Sequence, residues 1–287
     1  MPASKGRGRG SKRGLMSVLW IGILWFLLIG SCVGFLSGLL GIGGGIVIVP
    51  ALAWIFEYYT PLAIPADKVM HISAGTSLAT MVVTALAAIF AHHKQANIDW
   101  KVCFKLLPAT IVGVILGSWI ASLLRSHTLA IVFAVLLLLI AIYIFFSAKK
   151  EKNDCQITHI NLVIYSLSGF IIGVCSGMLG VGGGSLVIPF LLLLHFPINR
   201  VSGTSVTLVL PLAIVGTIAF ILMGNLGREG IPYSSGFIYW PAFLGISIGS
   251  IFVIQVGTKV GKRANKVLLK RIFSILLVII ALQMLLT

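Results

Sequence analysis

Acidic residues are scarce in this chain, and their scarcity narrows what it can do. Only six Asp and Glu occur in 287 residues. Glu57, Asp67, Asp99, Glu151, Asp154 and Glu229 all fall in or beside predicted loops. Proton- and sodium-coupled carriers usually keep a carboxylate inside a span, and a cation substrate would need one as counter-charge. Charge of either sign is also sparse, at 9% of residues against about 25% in soluble domains. No charged residue lies between Arg13 and Glu57, nor between Asp154 and Arg200. A spanning helix needs roughly 20 apolar residues, so each gap holds more than one span. With 59% hydrophobic residues, the composition predicts an all-α polytopic membrane protein.

Cysteine is equally uninformative as chemistry. Cys32, Cys103 and Cys175 lie in apolar runs and Cys155 in a linker, with no CxxC pair, so they read as small apolar residues. No His/Cys/Asp spacing suggests a metal site. Ser37 and Ser176 each precede glycine, but an intramembrane serine protease wants glycine two places before the serine, where Phe35 and Val174 stand. The glycine triplets lack the Gly-Lys-Ser/Thr ending of a phosphate loop, and Gly41-x-Gly43 does not continue to a dinucleotide fingerprint. The chain therefore reads as a non-enzyme without a cofactor.

What is present is positive charge, clumped. There are 21 Lys and Arg, for a net charge of +15. They gather at Lys5 to Arg13, Lys94 to Lys105, Lys149 to Lys152 and Lys259 to Arg271. The aromatics lie in apolar runs and are not interleaved with them, which excludes a nucleic-acid surface. Tails and short loops of this kind act as topology signals and touch anionic lipid. The N-terminal apolar run continues unbroken to Phe56 and has a counterpart in the second half, so it is not read as a cleaved signal.

That counterpart is part of a duplication. Residues 34–50, GFLSGLLGIGGGIVIVP, return at 173–189 as GVCSGMLGVGGGSLVIP. Gly75-Thr76-Ser77 returns as Gly203-Thr204-Ser205, Pro108-Ala109 as Pro241-Ala242, and Gly117-Ser118 as Gly249-Ser250. The chain divides into a basic cytoplasmic tail (1–15), a first transmembrane repeat (16–147), a basic linker (148–159) and a second repeat (160–287). Each repeat reads as five apolar segments, with the second too short for a full span: a half-helix or re-entrant segment. If it is re-entrant, each half crosses four times and both tail and linker are cytoplasmic, but Lys259 to Arg271 falls outside. If it crosses, the halves are inverted and tail and linker part company. The first arrangement is preferred here.

The triplets Gly43-Gly44-Gly45 and Gly182-Gly183-Gly184 are the centre of the functional reading. Each follows a long helix and precedes a short one ending near Pro50 or Pro189. Glycine runs break helix geometry where lipid cannot satisfy backbone groups, so protein or a water-lined cavity must cover the break. The freed N–H groups and the helix dipole favour an anion, and matched breaks in two halves point to a transport site. Thr76, Ser77, Thr204 and Ser205, with Ser185 beside the second triplet, could cap a helix or donate to the anion. His71 and Asn199 align when the Gly-Thr-Ser motifs are superposed, and Arg200 follows. These are secondary candidates, with solvated loop residues as the plainer reading for Arg200.

The duplicated block, with its later Thr-Ser pairs, resembles the TauE/SafE-type sulfite exporter family, also called the toluene sulfonate uptake permeases, from about Val18 to Leu286. The resemblance implies a multi-pass inner-membrane permease with a duplicated fold, moving sulfite, sulfonates or related anions. By position it carries Gly43 to Gly45, Gly182 to Gly184, Thr76, Ser77, Thr204 and Ser205 into the site. The expected function is a carrier of a small sulfur-containing anion that works by alternating access between the two repeats, one half rocking against the other. An anion channel of the same architecture and a non-transporting scaffold are the alternatives, and self-association stays open.

Overall fold

The computed structural model describes residues 8–40, 44–58, 64–93, 98–147, 161–193, 196, 198–226, 231–263 and 266–286. Ten helices occupy the positions of the ten apolar segments. They are α1 Gly8–Leu40, α2 Gly45–Tyr58, α3 Val69–His93, α4 Trp100–Leu123, α5 Ser126–Ser147, α6 Leu162–Leu179, α7 Gly184–Leu193, α8 Ile198–Leu226, α9 Trp240–Arg263 and α10 Lys266–Leu286. A 3₁₀ turn at Ala66–Lys68 leads into α3, and a hairpin of β1 (Ser234–Ser235) and β2 (Ile238–Tyr239) leads into α9. Among the described residues, seven helices are long and apolar enough to cross a membrane: α1, α3, α4, α5, α6, α8 and α9. The chain is a multi-pass membrane protein.

Local chemistry accounts for several boundaries. The Asp99 carboxylate accepts from the N–H groups of Lys101 and Val102 and starts α4, and Asn161 does the same for α6 through Val163. Gly180, at φ 71°, closes α6 in the left-handed conformation. Pro50 and Pro189 lie inside α2 and α7, which run on to Tyr58 and Leu193; the expectation that they end these helices is corrected. A proline removes one backbone bond, and neighbouring helices can hold the flanking turns in register.

The helices form a row, α1–α9–α3–α8–α4–α6, in which the contacts of one end repeat at the other. The short α2 lies on α3 and the short α7 on α8, while α5 pairs with α10. Small residues make the closest contacts. Gly30, Gly34 and Gly38 of α1 meet Ile246, Ser250 and Ile254 of α9, and a Cβ on Gly34 would lie 2.7 Å from Ser250 Cα. Gly169, Gly173 and Gly177 of α6 meet Leu106, Thr110 and Val114 of α4, and a Cβ on Gly177 would lie 2.8 Å from Val114 Cα. With no hydrophobic force between helices in lipid, such close backbone approach supplies the association energy through dispersion.

These registers also give direction. Both numbers rise together in α1/α9 and in α4/α6, so each pair is parallel. In α3/α8 they run oppositely: Gly75 meets Phe220, while Leu78 meets Gly216. α3 and α8 are the third helices of their halves, and they are antiparallel. Four crossings per half would have made them parallel, so the preferred topology is corrected. The physical reason is that α2 and α7, although short, still reverse the chain direction.

The centre of the row is the most enclosed part. Every residue from Val69 to Met81 on α3 is buried, including Ser73, Thr76, Ser77 and Thr80. A helix buried on all faces belongs in the interior, and its hydroxyls must find partners there.

Candidate functional site

The two glycine breaks meet at the middle of this row. Gly41 to Gly43 lie outside the described residues, so Gly43 receives no placement. Gly44 has φ 83°, and Gly182 and Gly183 have φ 68° and 75°, a region where side chains other than glycine are strained. A Cβ on Gly45 would lie 2.9 Å from the carbonyl oxygen of Val181, so the first break abuts the second. Both also touch Met81 of α3: its Cε meets Gly45 and its Sδ meets Gly182. Val209 of α8 stands 3.2 Å from the Cβ position of Gly182, and Leu212 stands 2.7 Å from that of Gly183. The breaks are buried, not at the lipid boundary, and Met81 fills the junction between them.

Each break starts a helix with spare donors. The N–H groups of Val47 and Ile48 both go to Gly44 O, at 3.0 and 3.1 Å, and those of Leu186 and Val187 to Gly183 O, at 3.0 and 2.8 Å. Helix geometry leaves the preceding N–H groups, on Gly45, Ile46, Gly184 and Ser185, without a carbonyl one turn back. Those groups carry the positive end of each helix dipole.

The Gly-Thr-Ser motifs pack directly on this region, with their hydroxyls engaged. Ser77 donates to Gly180 O at 2.8 Å, and Ser205 donates to Gly184 O at 2.9 Å. Thr76 and Thr204 face the other way, each accepting the backbone N–H just before a helix of the opposite half: Tyr239 before α9 and Asp99 before α4, both at 3.0 Å. His71 stands apart. Its Nε2 donates to Ala121 O at 2.9 Å and Leu124 O at 3.1 Å, at the end of α4, and its ring lies 5.2 Å from that of Phe237. Asn199 and Arg200 occupy the first turn of α8, and their side chains are outside the described residues.

The sequence did not single out Met81, Val209 or Leu212, which are apolar residues in apolar runs. It considered Ser37 and Ser176 only as nucleophiles. Both are buried and their hydroxyls have no partner among the described residues, as does that of Ser185. Ser176 Oγ lies 3.5 Å from the Cβ position of Gly183, and Ser37 Cβ 3.6 Å from that of Gly44. Among the described residues no group of His, Cys, Asp and Glu could hold a metal ion.

A separate cavity of about 800 Å³ opens between α1, α2, α3, α5 and α10, with Trp25, Trp54, Phe56 and Met70 among its apolar walls and Glu57 and His127 among its polar groups. No described residue of either break lines it.

The family model for the sulfite exporters TauE/SafE matches residues 26–284. The chain belongs to the TauE/SafE sulfite exporter family. A probable membrane transporter protein of Haemophilus influenzae is 35% identical over 265 residues, covering 91% of this chain and 97% of its own. One of Methanocaldococcus jannaschii is 31% identical over 261 residues, covering 91% and 94%. A third, YunE of Bacillus subtilis, is 24% identical over 275 residues, covering 90% and 95%. The TauE/SafE match spans both glycine breaks and both Gly-Thr-Ser motifs. This family member is thus a probable membrane transporter with seven apolar helices of spanning length among its described residues, which implies a small-molecule substrate.

Proposed function

We propose that this chain is a secondary transporter of the cell inner membrane, carrying sulfite or a small organosulfonate through the junction of its glycine breaks. The observation that carries this reading is the contact between Gly45 and Val181 beneath Met81. It sets two helix N-termini, from different halves of the chain, beside one another in the most buried part of the molecule. Spare N–H groups and dipole ends offer negative charge a place that lipid and the rest of the core do not.

The antiparallel α3 and α8 support a reading in which 16–147 and 160–287 are inverted copies of one unit. Transport by alternating access then works about the α3–α8 pair. The moving bodies are not the halves themselves, because α1 packs on α9 and α6 on α4. Each mover takes helices from both halves. Because Met81 fills the junction, passage requires its displacement, which favours a carrier over an open channel. Close packing alone would suit a non-transporting scaffold equally well, and family membership weighs against that.

The test is flux in proteoliposomes with sulfite, thiosulfate, sulfoacetate and an aromatic sulfonate, each with and without a pH gradient. Saturable uptake of one of them is expected. Large single-channel currents would replace the carrier with a channel, and no flux of any would end the reading.

A further inference from the structure

Many buried hydroxyls in these helices close a bond to their own backbone. Ser73 donates to Val69 O, Thr80 to Thr76 O, Thr110 to Leu107 O, Thr207 to Gly203 O and Ser274 to Arg271 O. This is the ordinary fate of a hydroxyl in a helix. Ser37, Ser176 and Ser185 depart from it, at 3%, 0% and 1% exposure and with no partner among the described residues. Ser247, on α9 and outside the breaks, is the fourth unpartnered hydroxyl among those residues. Leaving a buried polar group unsatisfied is costly, and native proteins rarely do so without a reason.

The placement of the three is not scattered. Ser37 sits at Gly44 and Ser176 at Gly183, equivalent positions of the duplicated block, while Ser185 opens α7. Each break therefore sets at least one unpartnered hydroxyl beside the first N–H groups of a helix, which have no carbonyl one turn back. Fixed positive charge is sparse in the sequence of the helices around them. Helices α2, α3, α6 and α7 contain no Lys or Arg. The basic residues of α1 fall at its start, from Arg9 to Arg13, and the one in α8, Arg200, in its first turn. A site made of dipolar donors alone can replace the hydration of one negative charge far better than that of two. The Born cost of dehydration grows as the square of the charge, so a dianion loses roughly four times as much.

We infer that Ser37, Ser176 and Ser185 are the side-chain ligands of the transported anion, and that with the adjoining N–H groups they select a singly charged oxyanion over a doubly charged one. The inference rests on the transport reading above and deepens it: the favoured ligand is a monoanionic sulfur oxyanion head, –SO₃⁻ or hydrogensulfite, and sulfate is refused on charge. Ser77 and Ser205 are positioning residues in this arrangement, since their O–H groups already donate to Gly180 O and Gly184 O, while Thr76 and Thr204 accept a backbone N–H each and hold the entrances of α9 and α4.

The experiment uses the full chain in proteoliposomes and measures how methanesulfonate and sulfate, similar in shape but different in charge, compete with sulfite uptake. Methanesulfonate is expected to compete at a concentration at least tenfold below that of sulfate. Ser37→Ala, Ser176→Ala and Ser185→Ala should each weaken that competition about tenfold, the effect of one charge-assisted hydrogen bond. Their melting temperatures should hold or rise, because alanine removes a hydroxyl that had no partner. Sulfate competing as well as methanesulfonate would overturn the charge selection. Competition unchanged within about twofold in all three variants, with wild-type uptake intact, would overturn the serine assignment alone. So would a fall in melting temperature that accounts for the lost uptake, since it would make the hydroxyls structural. A wild-type protein that moves no sulfur anion would overturn both this inference and the transport reading.

Discussion

The Thr76 hydroxyl accepts the backbone N–H of Tyr239 across 3.0 Å, tying the first third of α3 to the residue that precedes α9. Thr204 and Asp99 repeat the bond before α4 at the same distance. Each threonine thus satisfies a donor at the entrance to a helix of the opposite half. Thr76→Val, which keeps the shape and removes the acceptor, leaves the buried Tyr239 N–H unpaired, at a cost of about 1–3 kcal/mol. Thr204→Val should cost less, because Asp99 is only half-buried. Thermal unfolding in detergent would check this, with Thr76→Ser expected to recover most of the loss.

The small-residue seams give a second expectation. Gly34→Ala and Gly177→Ala each place a methyl against backbone, 2.7 Å from Ser250 Cα and 2.8 Å from Val114 Cα. Backbone cannot rotate away, so each helix pair must part, at about 1–3 kcal/mol. Gly22→Ala is the control: its nearest neighbour is the Phe26 ring edge at 3.9 Å, and it should be neutral or slightly stabilising. Unfolding midpoints of the three variants decide the matter.

Met81 is the side chain that must move if the junction is the path. Met81→Ala should destabilise by about 2–5 kcal/mol yet raise sulfite turnover severalfold. Met81→Cys, made with the native cysteines replaced, should react with a small charged methanethiosulfonate reagent during turnover and lose uptake. A labelled protein that still transports normally would place the path elsewhere.

His71 is expected to matter for stability and not for substrate. Both acceptors of Nε2 are carbonyls at the end of α4. His71→Leu removes the shared donor from both and leaves Ala121 O only its bond from the Leu124 N–H, and should cost about 1–3 kcal/mol. His71→Gln retains a donor and should keep the KM for sulfite within about twofold. A KM that rises tenfold in both variants would return His71 to the site.

Much of this was readable in the residues. The charge gaps and paired segments foretold ten helices, and the two triplets marked the places where the chain breaks. The direction of the halves was harder to read. Basic clusters gave conflicting signals at Lys149 to Lys152 and Lys259 to Arg271, while only the opposed registers of Gly75–Phe220 and Leu78–Gly216 expose the antiparallel pair. Thr76 and Thr204 read as candidate ligands because they are polar residues in an apolar run, and the backbone N–H groups they accept, 163 and 105 residues away in sequence, could not be read there. Ser37 and Ser176 were visible as a repeated polar position. What set them apart was the lack of a partner, which only three dimensions can show.

The pairing of α1 with α9 bears on how the protein is made. Gly30 waits for Ile246, and at ~5–20 residues per second that delay is on the order of 10–40 s. α6, by contrast, can dock on α4 as soon as it leaves the ribosome. The two helix pairs thus form at different times, with the glycine face of α1 left bare in the lipid until α9 arrives. Insertion chaperones that shield such faces would therefore act on α1, and shortening the chain before α9 should leave a product marked for proteolysis.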